Sequence, residues 1–253
     1  MEIYLAIDFE FDVVRRFLFN ERILDGAWVT LQVAVLAQLM GIVLGIVFAL
    51  MRVARNPIPR FFSGFYVWLF RGTPVLLQLF ILYFGVPTLF DNETLTTELT
   101  KFRAAIIAFA INEGAYMTEI VRAGILSVES GQMDASRSLG MTQMQAMRRV
   151  ILPQALRVVV PPTGNEFIAM LKNSSIASAI GLFELLYAAQ NIYSVNFKFM
   201  ELLVVAAIWY LAFTTIFSVL QAELERALAV GQRERAETLF SRVLLVMGGR
   251  REI

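Results

Sequence analysis

Arg71, Asn112, Glu113, Glu166, Lys172 and Asn173 are charged or amide side chains set inside stretches that are otherwise apolar. Any chemistry in this 253-residue chain must draw on such groups, because it contains no histidine and no cysteine. That removes the usual general base, the commonest metal ligand, thiolate chemistry and any disulfide framework. An intramembrane hydrolase would then need a carboxylate pair or a Ser-Lys dyad, for which Ser174 and Ser175 beside Lys172 are the raw material. Adjacent helical residues point about 100° apart, so that dyad has poor local geometry. No G-x-S-x-G elbow accompanies it. No G-x-x-x-x-G-K-[ST] phosphate loop occurs either, so the chain lacks that means of binding ATP. What the residue types do support is solute handling. An ionisable group at membrane depth faces a bundle interior or a watery cavity and marks a path.

The elements that must position these groups are long apolar runs. The chain is 58% hydrophobic with mean hydropathy +0.65, which points to a multispanning membrane protein. A net charge of +1 argues against a nucleic-acid or acidic partner. Five stretches are long enough to cross a ~30 Å hydrocarbon layer: residues 27–51, 61–86, 102–124, 156–181 and 199–220. Gly41 and Gly45 form a small-xxx-small pair in the first, which lets another helix approach closely. Arg71 falls roughly 15–20 Å along the second, beside Gly72 and Pro74, which weaken the helix there. Thr73 and Gln78 are its uncharged polar members. Glu119 and Arg122 in the third are spaced to pair on one face, whereas Glu113 lies deeper without a near-sequence partner. The fourth is irregular. Pro161, Pro162 and Gly164 disturb its beginning, and Asn173-Ser174-Ser175 break its end. Glu166 and Asn173 share a face there, with Lys172 turned away.

Residues 1–25 lack the basic start and unbroken apolar core of a cleavable signal, since Asp8, Glu10 and Asp12 interrupt them. Phe9, Val13, Phe17 and Leu24 either form an amphipathic face on the membrane or belong to a solvated lead-in. Residues 87–101 read as a polar external loop, residues 182–198 as a second external segment, and residues 223–253 as a charged tail. Lys and Arg number six over residues 1–25, 87–103 and 182–198, and fourteen over residues 52–60, 122–157 and 221–253. The positive-inside rule therefore puts residue 1 outside and residue 253 inside.

Residues 130–153 form a polar, basic interruption on the inner side. Asp134 sits in the first turn of a short helix, Gly140 supplies a φ > 0 stop, and Thr142 with Gln145 has capping-box spacing for a second helix. Met144, Met147 and Ile151 share a face, and Pro153 ends or kinks the helix. The expected object is helix, tight turn, helix.

This loop resembles the Glu-Ala-Ala loop of permease subunits in bacterial ABC importers. The match runs through Asp134-Ala135-Ser136, Gly140 and Ile151-Leu152-Pro153, with Asp for Glu and Ser for the second Ala. GAYMTEIVRAGI at 114–125, RGTP at 71–74 and PQALRVVVPPTGNEFIAMLKNSS at 153–175 are similar to the polar-amino-acid branch. The resemblance covers roughly residues 28 to 221. It implies an all-α, five-span domain over residues 26–222 with a cytoplasmic coupling loop at 126–153, in the bacterial inner membrane. It also implies a second permease subunit, cytoplasmic ATPase subunits that carry the ATP and Mg, and an external substrate-binding protein. The chain itself would hold no cofactor. By the same analogy Asp134, Ala135, Ser136, Leu139 and Gly140 couple to the ATPase. Arg71, Thr73, Asn112, Glu166 and Asn173 would line the amino-acid path. Glu166 would hold an α-ammonium or a basic side chain, and Arg71 an α-carboxylate; the alternative for Glu166 is a packing ion pair with Arg71 or Lys172. The rival function is an ATP-independent channel or carrier.

Overall fold

The computed structural model describes residues 9–90, 97–129 and 131–228, and every regular element among them is helical. In chain order these are α1 (Phe11–Leu18), α2 (Glu21–Val53), α3 (Pro57–Arg71) and α4 (Val75–Phe90). Then come α5 (Lys101–Leu126), α6 (Gly131–Ser138), α7 (Gln143–Ala146), α8 (Leu152–Asn173), α9 (Leu185–Asn196) and α10 (Phe199–Leu228). Local chemistry sets several boundaries. Asn20 accepts from Arg22 N–H to cap α2, and Asn56 accepts from Ile58 N–H (2.9 Å) to cap α3, which has Pro57 in its first turn.

Among the described residues, α2, α5 and α10 are each long and apolar enough to cross a membrane. The pair α3 and α4 passes the same test jointly but is bent by 101° at its break. The second stretch is thus two helices rather than the single run expected over 61–86. α8 does not count among these apolar spans, because Pro161, Pro162, Asn165, Glu166 and Lys172 dilute it. Both prolines nevertheless lie inside a continuous helix, which passes into a 3-10 segment, Ser174–Ile180, at the predicted Asn-Ser-Ser break.

Two compact units divide the chain, with the cuts falling inside α5, α8 and α10. The first lies within Met1–Arg122 and Ala169–Leu211. Its core is a close crossing of α2 with α5. The buried stripe Val33, Ala34, Ala37, Gln38, Gly41, Gly45 and Ala49 follows helical spacing. A Cβ on Gly45 would lie 2.3 Å from the Met117 Cβ and 2.9 Å from its carbonyl carbon, and one on Gly41 would lie 2.6 Å from Glu113 Cγ. The glycine pair therefore serves packing within this chain. α3 joins through Ser63, whose hydroxyl donates to Phe48 O (2.7 Å), and Tyr66, which stacks on Phe48 and donates to Ile111 O (2.6 Å). Arg122 donates to Glu119 at 2.6 and 2.9 Å, the pairing its spacing predicts, and Arg52 stands 4.0 Å from the same carboxylate.

α1 runs along the beginning of α10. The Glu10 N–H donates to Glu201 (3.2 Å), Lys198 pairs with Glu10, and Trp209 Nε1 donates to Leu18 O (2.8 Å). Both contact points advance together along the two helices. α2 starts at Glu21, ahead of the expected 27, and the external segment 182–198 contains α9. Leu185, Ala188, Ala189 and Ile192 form its buried face. Residues 1–8 and the tail beyond Leu228 lie outside the described residues, as do 91–96 of the first expected loop.

The second unit lies within Ala123–Ile168 and Ala212–Ile253. Gly124 lies so close to Val159 that a Cβ there would stand 2.2 Å from its Cγ2. Gln221 lies over Gly164 and donates to Pro161 O (3.0 Å) and Asn165 Oδ1 (3.1 Å), while Phe167 and Phe217 meet edge to face.

Candidate functional site

In the first unit the polar residues gather where α3 breaks. Arg71 is the last residue of α3, Gly72 closes it, and Pro74, which has no N–H, stands before α4. A break leaves carbonyls of the last turn without backbone donors, and lipid supplies none. Side chains take that role here. Thr73 Oγ1 donates to Leu69 O (2.8 Å). Gln78 Nε2 contacts Phe70 O (2.9 Å), Thr73 O (3.0 Å) and Thr73 Oγ1 (2.8 Å). Asn112 Nδ2, arriving from α5, contacts Phe70 O (2.9 Å) and Gln78 Oε1 (3.1 Å). A cavity of about 310 Å³ opens beside the brace, walled mainly by apolar side chains such as Leu69, Leu77, Ile81, Leu82 and Ile111. Arg71 is exposed, with its guanidinium carbon 5.0 Å from the centre of the Tyr116 ring.

Arg71, Thr73 and Asn112 therefore come together, but the polar atoms of Thr73 and Asn112 are engaged by the broken backbone. Asn112→Leu should lower stability by about 1–2 kcal/mol by removing a part-buried donor from the broken backbone. A melting curve in detergent would read this; an unshifted melt with altered solute affinity would make Asn112 a path residue instead. Asn173 is exposed at the end of α8, and Glu166 is half-buried in the α8 portion of the second unit. The hydroxyls of Ser174 and Ser175 donate to the carbonyls of Leu171 (2.8 Å) and Lys172 (2.7 Å), which disfavours the dyad. Sequence reasoning passed over Gln78 as a brace and Tyr116 as a partner. The only signal was a Gln four residues after a helix-breaking proline.

The second unit holds the turn module. At the end of α6, Gly140 N–H donates to Arg137 O (2.9 Å) and Met141 N–H to Ser136 O (3.1 Å), a Schellman closure with Gly140 at φ +82°. Thr142 then opens α7 with a complete capping box: its hydroxyl accepts from Gln145 N–H (3.3 Å), and Gln145 Oε1 accepts from Thr142 N–H (2.9 Å). α7 continues through a π turn, Met147–Ile151, into α8. The chain thus stays helical through Pro153, because the wider turn precedes the proline and relieves its clash with the preceding carbonyls. Asp134 and Ala135 are exposed, Ser136 is buried and donates to Gln132 O (2.7 Å), and Leu139 is 80% exposed. Leu139, Met144 and Met147 together make an exposed apolar set on otherwise polar helices.

Comparison with known proteins gives a consistent result. A family model described as a binding-protein-dependent transport system inner membrane component matches residues 41–230. The arginine transport system permease protein ArgU of Corynebacterium glutamicum is 41% identical over 244 residues, covering 93% of this chain and 76% of that protein. The probable amino-acid permease protein YxeN of Bacillus subtilis is 41% identical over 201 residues, covering 79% and 88%. A crystal structure of an amino acid ABC transporter with histidines aligns at TM-score 0.77 and 38% identity, over 86% of this chain and 99% of that one. An inward-facing MetNI methionine ABC transporter, at 20% identity, shares the fold with TM-score 0.66, over 82% and 96%.

Proposed function

The chain belongs to the binding-protein-dependent transport system inner membrane component family, and on that premise we propose that it forms the membrane path of an ATP-driven importer for a polar amino acid, with a basic one favoured. The observation that carries the coupling half of this reading is the turn module. Its Schellman closure and capping box hold α6 rigidly, and Leu139 is offered outward for a partner's cleft. The motor is a separate cytoplasmic ATPase that carries ATP and Mg; a second permease subunit and an external binding protein complete the assembly in the bacterial inner membrane. ATP-driven closure of the ATPase pair rocks the permease between inward- and outward-facing states. Co-purification with an ATPase separates this from a free-standing channel or carrier.

In the path, a carboxylate at Glu166 prefers a cation, and Arg71 beside the α3 break prefers a carboxylate. The purified complex should show ATPase activity stimulated by one or a few amino acids when all are assayed. Glu166→Gln should then weaken the preferred amino acid about 10- to 100-fold, the worth of a charge-assisted hydrogen bond, with the ATPase still bound. Loss of assembly would make Glu166 a packing residue, and an unchanged profile would remove it from the path.

α8 serves as the fourth of five spans in chain order and α10 as the fifth, with the N-terminus outside and the C-terminus inside. Single cysteines at Asn92 and Gln143 of this cysteine-free chain should label from opposite faces of the membrane. Labelling of both by an impermeant reagent applied outside would defeat this topology.

A further inference from the structure

Glu184 is fully buried, three elements converge on it, and the path described above makes no use of it. It stands just ahead of α9 and caps that helix: Oε1 accepts from Tyr187 N–H (2.7 Å) and Oε2 from Leu186 N–H (3.0 Å). The same Oε2 accepts from Tyr210 of α10 (2.9 Å) and, at 3.5 Å, from Thr30 of α2. Thr30 in turn accepts from Leu185 N–H (3.1 Å). A turn earlier on α2, Gly26 faces the Glu184 carbonyl and Ala188, where a Cβ would come within 2.9 and 2.8 Å. A cap alone would need only the two backbone amides. Here the carboxyl also ties the helix to two long ones.

We propose that Glu184 is a positioning residue for transport, whose side chain fixes the pose of α9 on α2 and α10. The proposal rests on the importer reading, in which α9 lies at the external mouth where the binding protein delivers its amino acid. Four donors on one carboxyl suit an acid and no other side chain. An amide of the same shape has one accepting oxygen and two donor hydrogens, so at least one of the Leu186 and Tyr187 N–H groups would face a donor. α9 would then lose its seat, while the α2–α5 crossing has no part in the change.

The test uses the whole permease–ATPase complex in liposomes. Ala189 on the buried face of α9 and Ala110 in α5 are both fully buried, and each is replaced by cysteine in turn. With Glu184 intact, neither thiol should react with an impermeant maleimide from outside. With Glu184→Gln, the cysteine at 189 should react and the one at 110 stay protected. Uptake should fall about tenfold or more, with stimulation by the binding protein lost and ATP hydrolysis continuing. If Glu184→Gln fails to assemble, Tyr210→Phe removes one donor and decides the matter: partial labelling at 189 supports the seat, and unchanged protection overturns it. Protection at 189 with full uptake in Glu184→Gln also overturns it, as does equal labelling at both cysteines, which would mean general unfolding. The labelling needs no transport, so failure of the seat and failure of the importer reading are read separately.

Discussion

Gly45→Leu should leave little or no folded protein in the membrane, whereas Gly131→Ala should be nearly neutral. At Gly45 the first carbon of any side chain meets Met117 at 2.3 Å, and the obstacle continues into the Met117 backbone at 2.9 and 3.1 Å. A flexible side chain could swing away; a helix backbone cannot. α2 and α5 would have to separate along their crossing, which also carries the fully buried Ala34, Ala37, Ala110 and Met117. Overpacking a close-packed site costs about 1–3 kcal/mol for added methylenes and more when backbones must part. Helix association in lipid depends on such packing, because no hydrophobic force drives apolar helices together there. A Cβ at Gly131 meets nothing within 4 Å, so alanine there controls for expression. Fluorescence-detected gel filtration of the solubilised variants would show the difference. A monodisperse peak for Gly45→Leu at the unmodified level would mean that the crossing is looser than described.

Gly140→Val should leave insertion and expression intact while transport falls at least tenfold and ATP hydrolysis runs uncoupled, or the ATPase dissociates. Space is not the issue, since nothing lies within 4 Å of a Cβ at this position. The issue is conformation. At φ +82° a Cβ crowds the adjacent carbonyl, at about 1–2 kcal/mol and more for a β-branched residue. That sum cannot dissolve a multispanning bundle, but it is enough to open the Schellman closure and swing α6 and the exposed Leu139 away from a partner. Asn tolerates the left-handed region, so Gly140→Asn should retain most of the transport, which separates a conformational requirement from a surface one. Asp134→Lys should imitate the valine variant by setting a positive charge at the positive end of α6. Unmodified uptake in both Gly140→Val and Asp134→Lys would remove this loop as the energy input.

Whatever depends on neighbours along the chain was legible in the residues alone. Gly140 at the end of α6 and the Thr142–Gln145 box were legible because a turn and a cap are satisfied by residues two to five positions away. The apolar runs of α2, α5 and α10 were legible because spanning is a matter of length and composition. So was the weakness at Gly72-Thr73-Pro74, although not its 101° bend, nor that Asn112 of α5 meets the freed Phe70 carbonyl, a partner 42 positions away in the chain. Tertiary structure alone decided what Gly41 and Gly45 approach, since a small-residue stripe says that something comes close without saying what. It also decided that residues 182–198 hold a buried helix. The spacing of Leu185, Ala188, Ala189 and Ile192 was visible, but their burial depends on Thr30 and Gly26, more than 150 positions back along the chain. A carboxylate at position 184 reads as solvent-facing until those distant donors surround it, because only folding exchanges its water for Thr30 and Tyr210.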